Sequence, residues 1–207
     1  MALETKLREM RAAGVVADVI TFSGNGEPTL HPQFEDIIRE TCRLRNCYCP
    51  SAKVSVLSNS TQLVRDDVRR ALRMVDNRIL KLDSAVTATM RLIDQPVNTT
   101  LTAERLIDLI EPFDGDFILQ TCFLRGDVLT PNPDRAGEYI LGHVDNTTPA
   151  ELKAWYEAVK RLHPKQIMIY VINRKTPVPT LEKLSLQTMQ DIAAPLIADG
   201  FNVQISA

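Results

Sequence analysis

The sequence predicts an α/β fold, a parallel sheet with helices packed outside it that curves as an open partial barrel, and three observations carry that expectation. Short apolar, β-branched runs alternate with helical patterns at the spacing of βαβ units. The predicted strands hold polar residues that a fully buried sheet has no reason to carry: Thr21 and Ser23, Lys81 and Asp83, Gln120, Tyr170. Within each pair the spacing is two, so both side chains share a face. A packed barrel interior prefers Val, Ile and Leu there, so a wet, half-open mouth explains them better than a flat doubly wound sheet. The third observation is residues 18–32, DVITFSGNGEPTLHP. They read as a buried strand, a Gly-rich turn carrying one carboxylate, and a helix entered at His31-Pro32. That is the build of a ligand site at the carboxyl end of a parallel strand.

The elements follow in order. Leu3, Leu7 and Met10 make one face of an opening helix over residues 3–13, stopped by Gly14. After the Gly-rich turn, Phe34, Ile37, Ile38 and Cys42 form a second helical face. KVSVL at 53–57 is the next strand, ending in Ser58-Asn59-Ser60-Thr61. Val64, Val68 and Leu72 step by four along a third helix, and Ile79–Leu82 is a short strand ending in Asp83-Ser84. A helix over roughly 102–111 carries Leu106, Ile107 and Ile110, and FILQT at 117–121 is a fifth strand-type element. Residues 123–147, rich in Gly, Pro, Asn and Asp, read as a long functional loop. Thr148-Pro149-Ala150-Glu151 is a capping box, opening a helix whose apolar stripe includes Trp155. Gln166–Ile172 is a strand. Ser185 opens a last helix that Pro195 is expected to kink or end early, and Phe201–Ile205 is a terminal strand.

With 207 residues, 44% of them hydrophobic, the chain can bury one sizeable core, and a single domain over 1–207 is expected. A net charge of −2 gives no whole-chain signal for nucleic acid. No apolar run is long enough for a bilayer and no signal-peptide pattern is present, so a soluble, cytoplasmic protein is expected. No fixed-period repeat is visible. Cys42, Cys47, Cys49 and Cys122 do not suggest a secreted disulfide scaffold.

FSGNGEPTLHPQFEDII resembles the second strand and turn of radical S-adenosylmethionine (radical SAM) proteins, in the Fe–S oxidoreductase branch related to the wyosine-synthesis and activating-enzyme groups. The resemblance extends through VSVLSNST, ILKLDS, FILQTCFLRG and MIYVINRKTPVP. It implies a partial (β/α)6 TIM-like barrel of radical SAM type lacking its first strand. It implies SAM as cofactor, its amino group met by the turn Ser23, Gly24, Asn25, Gly26, Glu27 and Pro28, where Asn25 stands for the Gly of many relatives. An ammonium needs acceptors, which a Glu and turn carbonyls supply. By position Ser58 and Asn59 would lie near the methionine or ribose end, and Asp83 and Ser84 near the ribose. Gln120 and Thr121 would line the cavity. Asp83 read alone serves equally as a helix N-cap. Arg125, Tyr170 and Arg174 are candidate substrate contacts, Arg offering a planar charged fork for carboxylate or phosphate. A salt bridge to a loop acid is the plainer use of either Arg.

An intact relative uses a 4Fe-4S cluster, held by three thiolates of CxxxCxxC, to cleave SAM. The product is a 5′-deoxyadenosyl radical that takes hydrogen from a substrate, and an electron donor is needed. That motif is not in this sequence. Cys42-x4-Cys47-x-Cys49 has the wrong spacing and falls between helix and strand, away from the GNGEP turn. One thiol at Cys122 cannot hold a cluster. The expectation is therefore a truncated, cluster-less and inactive form of an enzyme of unknown substrate. The alternatives are a non-catalytic SAM- or nucleotide-binding degenerate barrel and an unrelated βα-barrel enzyme using Glu27, Asp83 and Arg174. His31, His143 and His163 have no ligand spacing and receive no catalytic role.

Overall fold

The computed structural model describes residues 2–207 apart from Asn25, Pro133, Ala136, residues 173–177 and Pro179. The chain divides into two compact units, Met1–Leu80 and Lys81–Ala207.

The first unit runs α1 (Ala2–Ala12), β1 (Val19–Phe22), α2 (Phe34–Tyr48), β2 (Lys53–Ser58), α3 (Asp66–Met74) and β3 (Asn77–Lys81), whose last residue opens the second unit. β1 pairs with β2 and β2 with β3, both parallel, with Val19 opposite Lys53 and Ser55 opposite Asn77. Val54 and Val56 of β2 are buried, as are Phe34, Ile38 and Leu44 of α2 and Val68 and Leu72 of α3. Phe34, Ile38, Val68 and Leu72 are among the positions the helical spacing selected; Ile37 and Cys42 are half-buried, Leu44 was not selected, and Val64 lies outside α3 and is exposed. β1 is not the buried strand its composition suggests. Val19 and Thr21 are exposed and Ile20 and Phe22 half-buried, because β1 is an edge strand bonded on one side to β2. Asp76 anchors this unit's base. Its Oδ2 accepts from the Val54 amide and from Arg45 Nη1, each at 2.8 Å.

The second unit continues with α4 (Thr87–Asp94), α5 (Ala103–Ile110), β4 (Ile118–Cys122), β5 (Arg125–Pro131) and β6 (Tyr139–Asp145). It ends with α6 (Pro149–Leu162), β7 (Gln166–Tyr170), β8 (Leu181–Glu182), α7 (Leu186–Ala198) and β9 (Val203–Ser206). β4, β7 and β9 are parallel neighbours. Trp155 of α6 is buried, its ring edge-on to Phe123 at 5.0 Å and its Nε1 donating to Thr121 Oγ1 at 3.0 Å. The expected early stop at Pro195 does not occur. α7 runs on to Ala198, and the Asp199 amide bonds back to the Pro195 carbonyl.

The largest departure from the sequence expectation is residues 123–147. They form not a loop but an antiparallel hairpin, β5 with β6, to which β8 adds a third strand in the order β6-β5-β8. Gly126 makes the third strand possible. Its φ is +139°, and a Cβ there would stand 2.3 Å from the Thr180 carbonyl oxygen. Asn146 joins the hairpin to the parallel strands. Its Nδ2 donates to the carbonyls of Asp83 and Cys122, each at 2.8 Å, and its Oδ1 accepts from the Leu124 amide at 2.9 Å. The side chain is 2% exposed. Asn146→Ala therefore orphans three buried backbone groups, and a loss of at least about 2 kcal/mol in urea-unfolding stability is expected. A cost near that of an ordinary surface substitution would show that water replaces the amide there.

Candidate functional site

In the first unit the turn after β1 gathers on one carboxylate. Pro28 starts a single 3-10 turn, Pro28–Leu30, for which Glu27 is the N-cap. Glu27 Oε1 accepts from the Thr29 amide at 3.2 Å, from the Thr29 hydroxyl, and from Ser58 Oγ at 2.8 Å. Oε2 accepts from the Asn59 amide at 2.6 Å. The carboxylate thus ties the end of β1 to the end of β2. Ser58 Oγ also accepts from the Ser60 amide, and Asn59 Oδ1 is turned inward onto Thr61. Around Glu27 lies an open recess of about 540 Å³, bordered by Thr21, Ser23, Gly24, Gly26 and His31. Thr21, Ser23, Gly24 and Gly26 are exposed and Glu27 and Pro28 half-buried, so backbone and carboxylate are both reachable. Gly24 has φ +155°, open to glycine without strain. Asn25 falls outside the described residues.

In the second unit the predicted ribose pair, Asp83 and Ser84, is buried. Asp83 is 1% exposed. Its Oδ1 accepts from the Cys122 amide at 2.9 Å, and its Oδ2 lies 2.6 Å from Lys81 Nζ, which also meets Asp94 Oδ1 at 2.9 Å. Burial raises the Asp83 carboxyl to about 7, against the pull of the ammonium. Burial works against the Lys81 charge too, but the two carboxylates outweigh it and hold the ammonium above its ordinary range. Ser84, also buried, donates to Glu151 Oε2 at 2.6 Å, and Thr89 Oγ1 donates to Glu151 Oε1 at 2.6 Å. Both side chains at 83 and 84 are thereby taken up inside the unit. The same contacts correct the capping box: Thr148 Oγ1 accepts from the Glu151 amide, while the Glu151 carboxylate turns to Ser84 and Thr89.

Gln120 and Thr121 are neighbours on β4 and so point to opposite faces. Gln120 is half-buried. Thr121 is fully buried against α6, donating to the Leu82 carbonyl and accepting from Trp155, so it does not line a cavity with Gln120. Arg125 Nε donates to Glu182 Oε2 at 2.7 Å across β5 and β8, the plainer salt-bridge use. Tyr170 is half-buried beside Cys122. Burial raises its hydroxyl well above the usual range, with the Asp83 charge adding to it. Arg174 lies outside the described residues.

The cysteines do not converge. Cys47 is exposed, Cys49 is packed with Leu7, Leu44 and Ala52, and Cys42 is half-buried with Sγ 3.7 Å from the Met74 carbonyl. Burial and then the Asp83 charge push the Cys122 thiol up to about 12, which keeps it protonated. Among the described residues no group of three His, Cys, Asp or Glu is arranged to hold a metal, and no helix is long and apolar enough to cross a membrane. A larger recess of about 600 Å³, bordered by Arg161, His163, Lys165 and Phe201, holds none of the predicted site residues. Sequence reasoning missed Thr29, Asn146 and the Lys81–Asp94 contact. Only Thr29 left a local signal, being two residues after the acid it bonds.

No protein-family model matches the chain. It is 25% identical over 176 residues to a Brachyspira hyodysenteriae protein named GTPase Obg, covering 84% of this chain and 22% of that protein. It is 32% identical over 101 residues to a UPF0026 protein of Synechocystis, covering 48% of this chain and 36% of the relative. The chain thus spans about a fifth to a third of the length of these curated relatives. Among solved structures, it matches a domain of pyruvate-formate lyase-activating enzyme from Bacteroides vulgatus with TM-score 0.62 and 17% identity, over 91% of this chain and 98% of that one. Streptococcus suis SuiB bound to S-adenosylmethionine matches with TM-score 0.64 and 13% identity, over 99% of this chain and 43% of SuiB. Escherichia coli coproporphyrinogen III oxidase (HemN), described as a radical SAM enzyme, matches with TM-score 0.54 and 17% identity, over 96% of this chain and 44% of that one. The chain therefore has the α/β fold seen in radical SAM enzymes.

Proposed function

We propose that this chain is a radical SAM core that binds S-adenosylmethionine, with the Gly24–Pro28 turn taking the ammonium of its methionine end. The observation that carries the reading is the Glu27 carboxylate, held by donors from Thr29, Ser58 and Asn59 at the rim of an open recess. Such a carboxylate is oriented before any ligand arrives, so little ordering is needed on binding. Among the described residues Oε2 has the Asn59 amide as its one donor, leaving a lone pair for a cation. An ammonium there would make a charge-assisted bond, and the bare backbone at Ser23 and Gly24 lets a ligand approach closely. The likeness to SuiB, solved with S-adenosylmethionine, supports the same cofactor.

In radical SAM enzymes a 4Fe-4S cluster supplies the electron that cleaves bound SAM. The described residues do not fit that cluster: the four thiols are scattered, and Cys122 is held protonated. No electron-transfer or radical step is assigned to them. Hydrogen abstraction from a substrate, with an electron donor, belongs to a form in which cluster ligands are supplied. What these residues do is bind and orient. Glu27 fixes the ligand's amino end.

Calorimetry tests the reading. SAM is expected to bind, and 5′-methylthioadenosine, which lacks the aminoacyl tail, to bind more weakly. Glu27→Gln should lower SAM affinity at least about tenfold and leave methylthioadenosine unchanged, with a thermal melt alongside because Glu27 also ties β1 to β2. No SAM binding by the native chain, or equal losses for both ligands, would overturn it. Anaerobic treatment of this chain with iron and sulfide is expected to leave no cluster absorbance, and a bound four-iron cluster would refute the disposition of the thiols described above.

A further inference from the structure

Among the described residues no strand pairs with the outer side of β6, the edge of the second unit's hairpin sheet. The register places Thr130 opposite Ile140, Val128 opposite Gly142 and Gly126 opposite Val144. The bonds flanking this ladder, Asn132 N to Glu138 O and Asn146 N to Leu124 O, make these even-numbered β6 residues the hydrogen-bonded ones. The N–H and C=O groups of Tyr139, Leu141 and His143 therefore point away from β5, along the free side of β6. Sheets usually protect such an edge with Lys, Pro or a bulge, and β6 has none of these. Its side chains are open as well: Tyr139 is 65% exposed, Leu141 69% and Ile140 44%, with Leu129 beside Leu141 on the neighbouring strand also exposed.

We propose that β6 pairs antiparallel with β6 of a second copy of this chain, about a two-fold axis through Leu141. The sequence of β6 complements itself about that residue. Leu141 meets Leu141 of the other copy, so Leu129 and Leu141 from both copies form one apolar row across the shared face. Tyr139 lies against His143, whose other neighbour is Asp127 at 2.9 Å. On the opposite face Ile140 lies over Gly142, a large side chain where the partner strand has none, at a narrow pair where side chains come closest. Asp145 meets Gly137 and Glu138 meets Val144, so no like charges oppose each other. The pairing closes about six main-chain bonds and merges two three-stranded sheets into one, an isologous interface that closes on itself. An extended peptide with alternating apolar residues is the other occupant such an edge admits, but it does not account for the match of β6 to itself.

The oligomeric state of the full chain tests this. Analytical ultracentrifugation should find a dimer at micromolar concentration and a monomer for Leu141→Lys, whose far-UV circular dichroism should be unchanged because the site is exposed. Gly142→Val should weaken the dimer through the opposite face. The register is read by cross-linking. Paired residues in such a ladder stand about 5.5 Å apart at Cα, within disulfide reach. Leu141→Cys should then cross-link to itself on mild oxidation. Tyr139→Cys should cross-link to His143→Cys in a mixture and not to itself, with the native chain as control for Cys47. A monomeric native chain, including one that instead binds an added strand-forming peptide, overturns the proposal. So does a dimer that survives Leu141→Lys or gives another cross-linking pattern.

Discussion

The structure depends on side-chain oxygens that accept a backbone N–H where a strand ladder runs out. A peptide N–H just past a strand end has no neighbouring strand to bond, and burying it unpaired is costly. Glu27, after β1, accepts the Asn59 amide just past β2. Asp83, after β3, accepts the Cys122 amide at the end of β4. Asn146, after β6, accepts the Leu124 amide beyond β4. The first two are carboxylates, and an ionised acceptor makes the shorter, stronger bond. One loop in the first unit and two in the second thereby anchor the strand end beside them.

That shared device separates into two roles by exposure. At Asp83 the two oxygens are both occupied, one by an amide and one by the Lys81 ammonium, and the group is shut from solvent. Removing Lys81 would leave a buried carboxylate with one amide for company, which is why this pair belongs to the framework. At Glu27 the compensation comes from neutral donors, and one oxygen still has capacity beside an open recess. A group that is oriented but not neutralised is what a cationic ligand end needs.

The alternation of strands and helices was legible because it rests on hydrophobic period, and the buried faces of α2, β2 and α5 follow from it directly. The Gly-Asn-Gly-Glu-Pro turn was legible because only a few residue types permit it. Exposure was not: β1 has the composition of a buried strand, yet strand order along a sheet is a long-range property. The hairpin was hidden because Gly126, Pro131, Asn132 and Gly137 read as loop, whereas β8, far along the chain, completes its sheet. At the site, Asp83, Ser84 and Thr121 carried the right chemistry for ligands, but their partners Lys81, Glu151 and Trp155 come from elements whose proximity no local pattern encodes. Arg125 followed the simpler of its two readings.

The burial of Trp155 has a practical corollary. It is the chain's single tryptophan, enclosed by Phe123 and bonded to Thr121, all within Lys81–Ala207. Its emission is a private reporter on that half of the molecule. Melting of the amino-terminal half would leave the indole signal untouched while the helical ellipticity of α1, α2 and α3 fell, so a gap between the two optical transitions would measure how far the halves unfold independently.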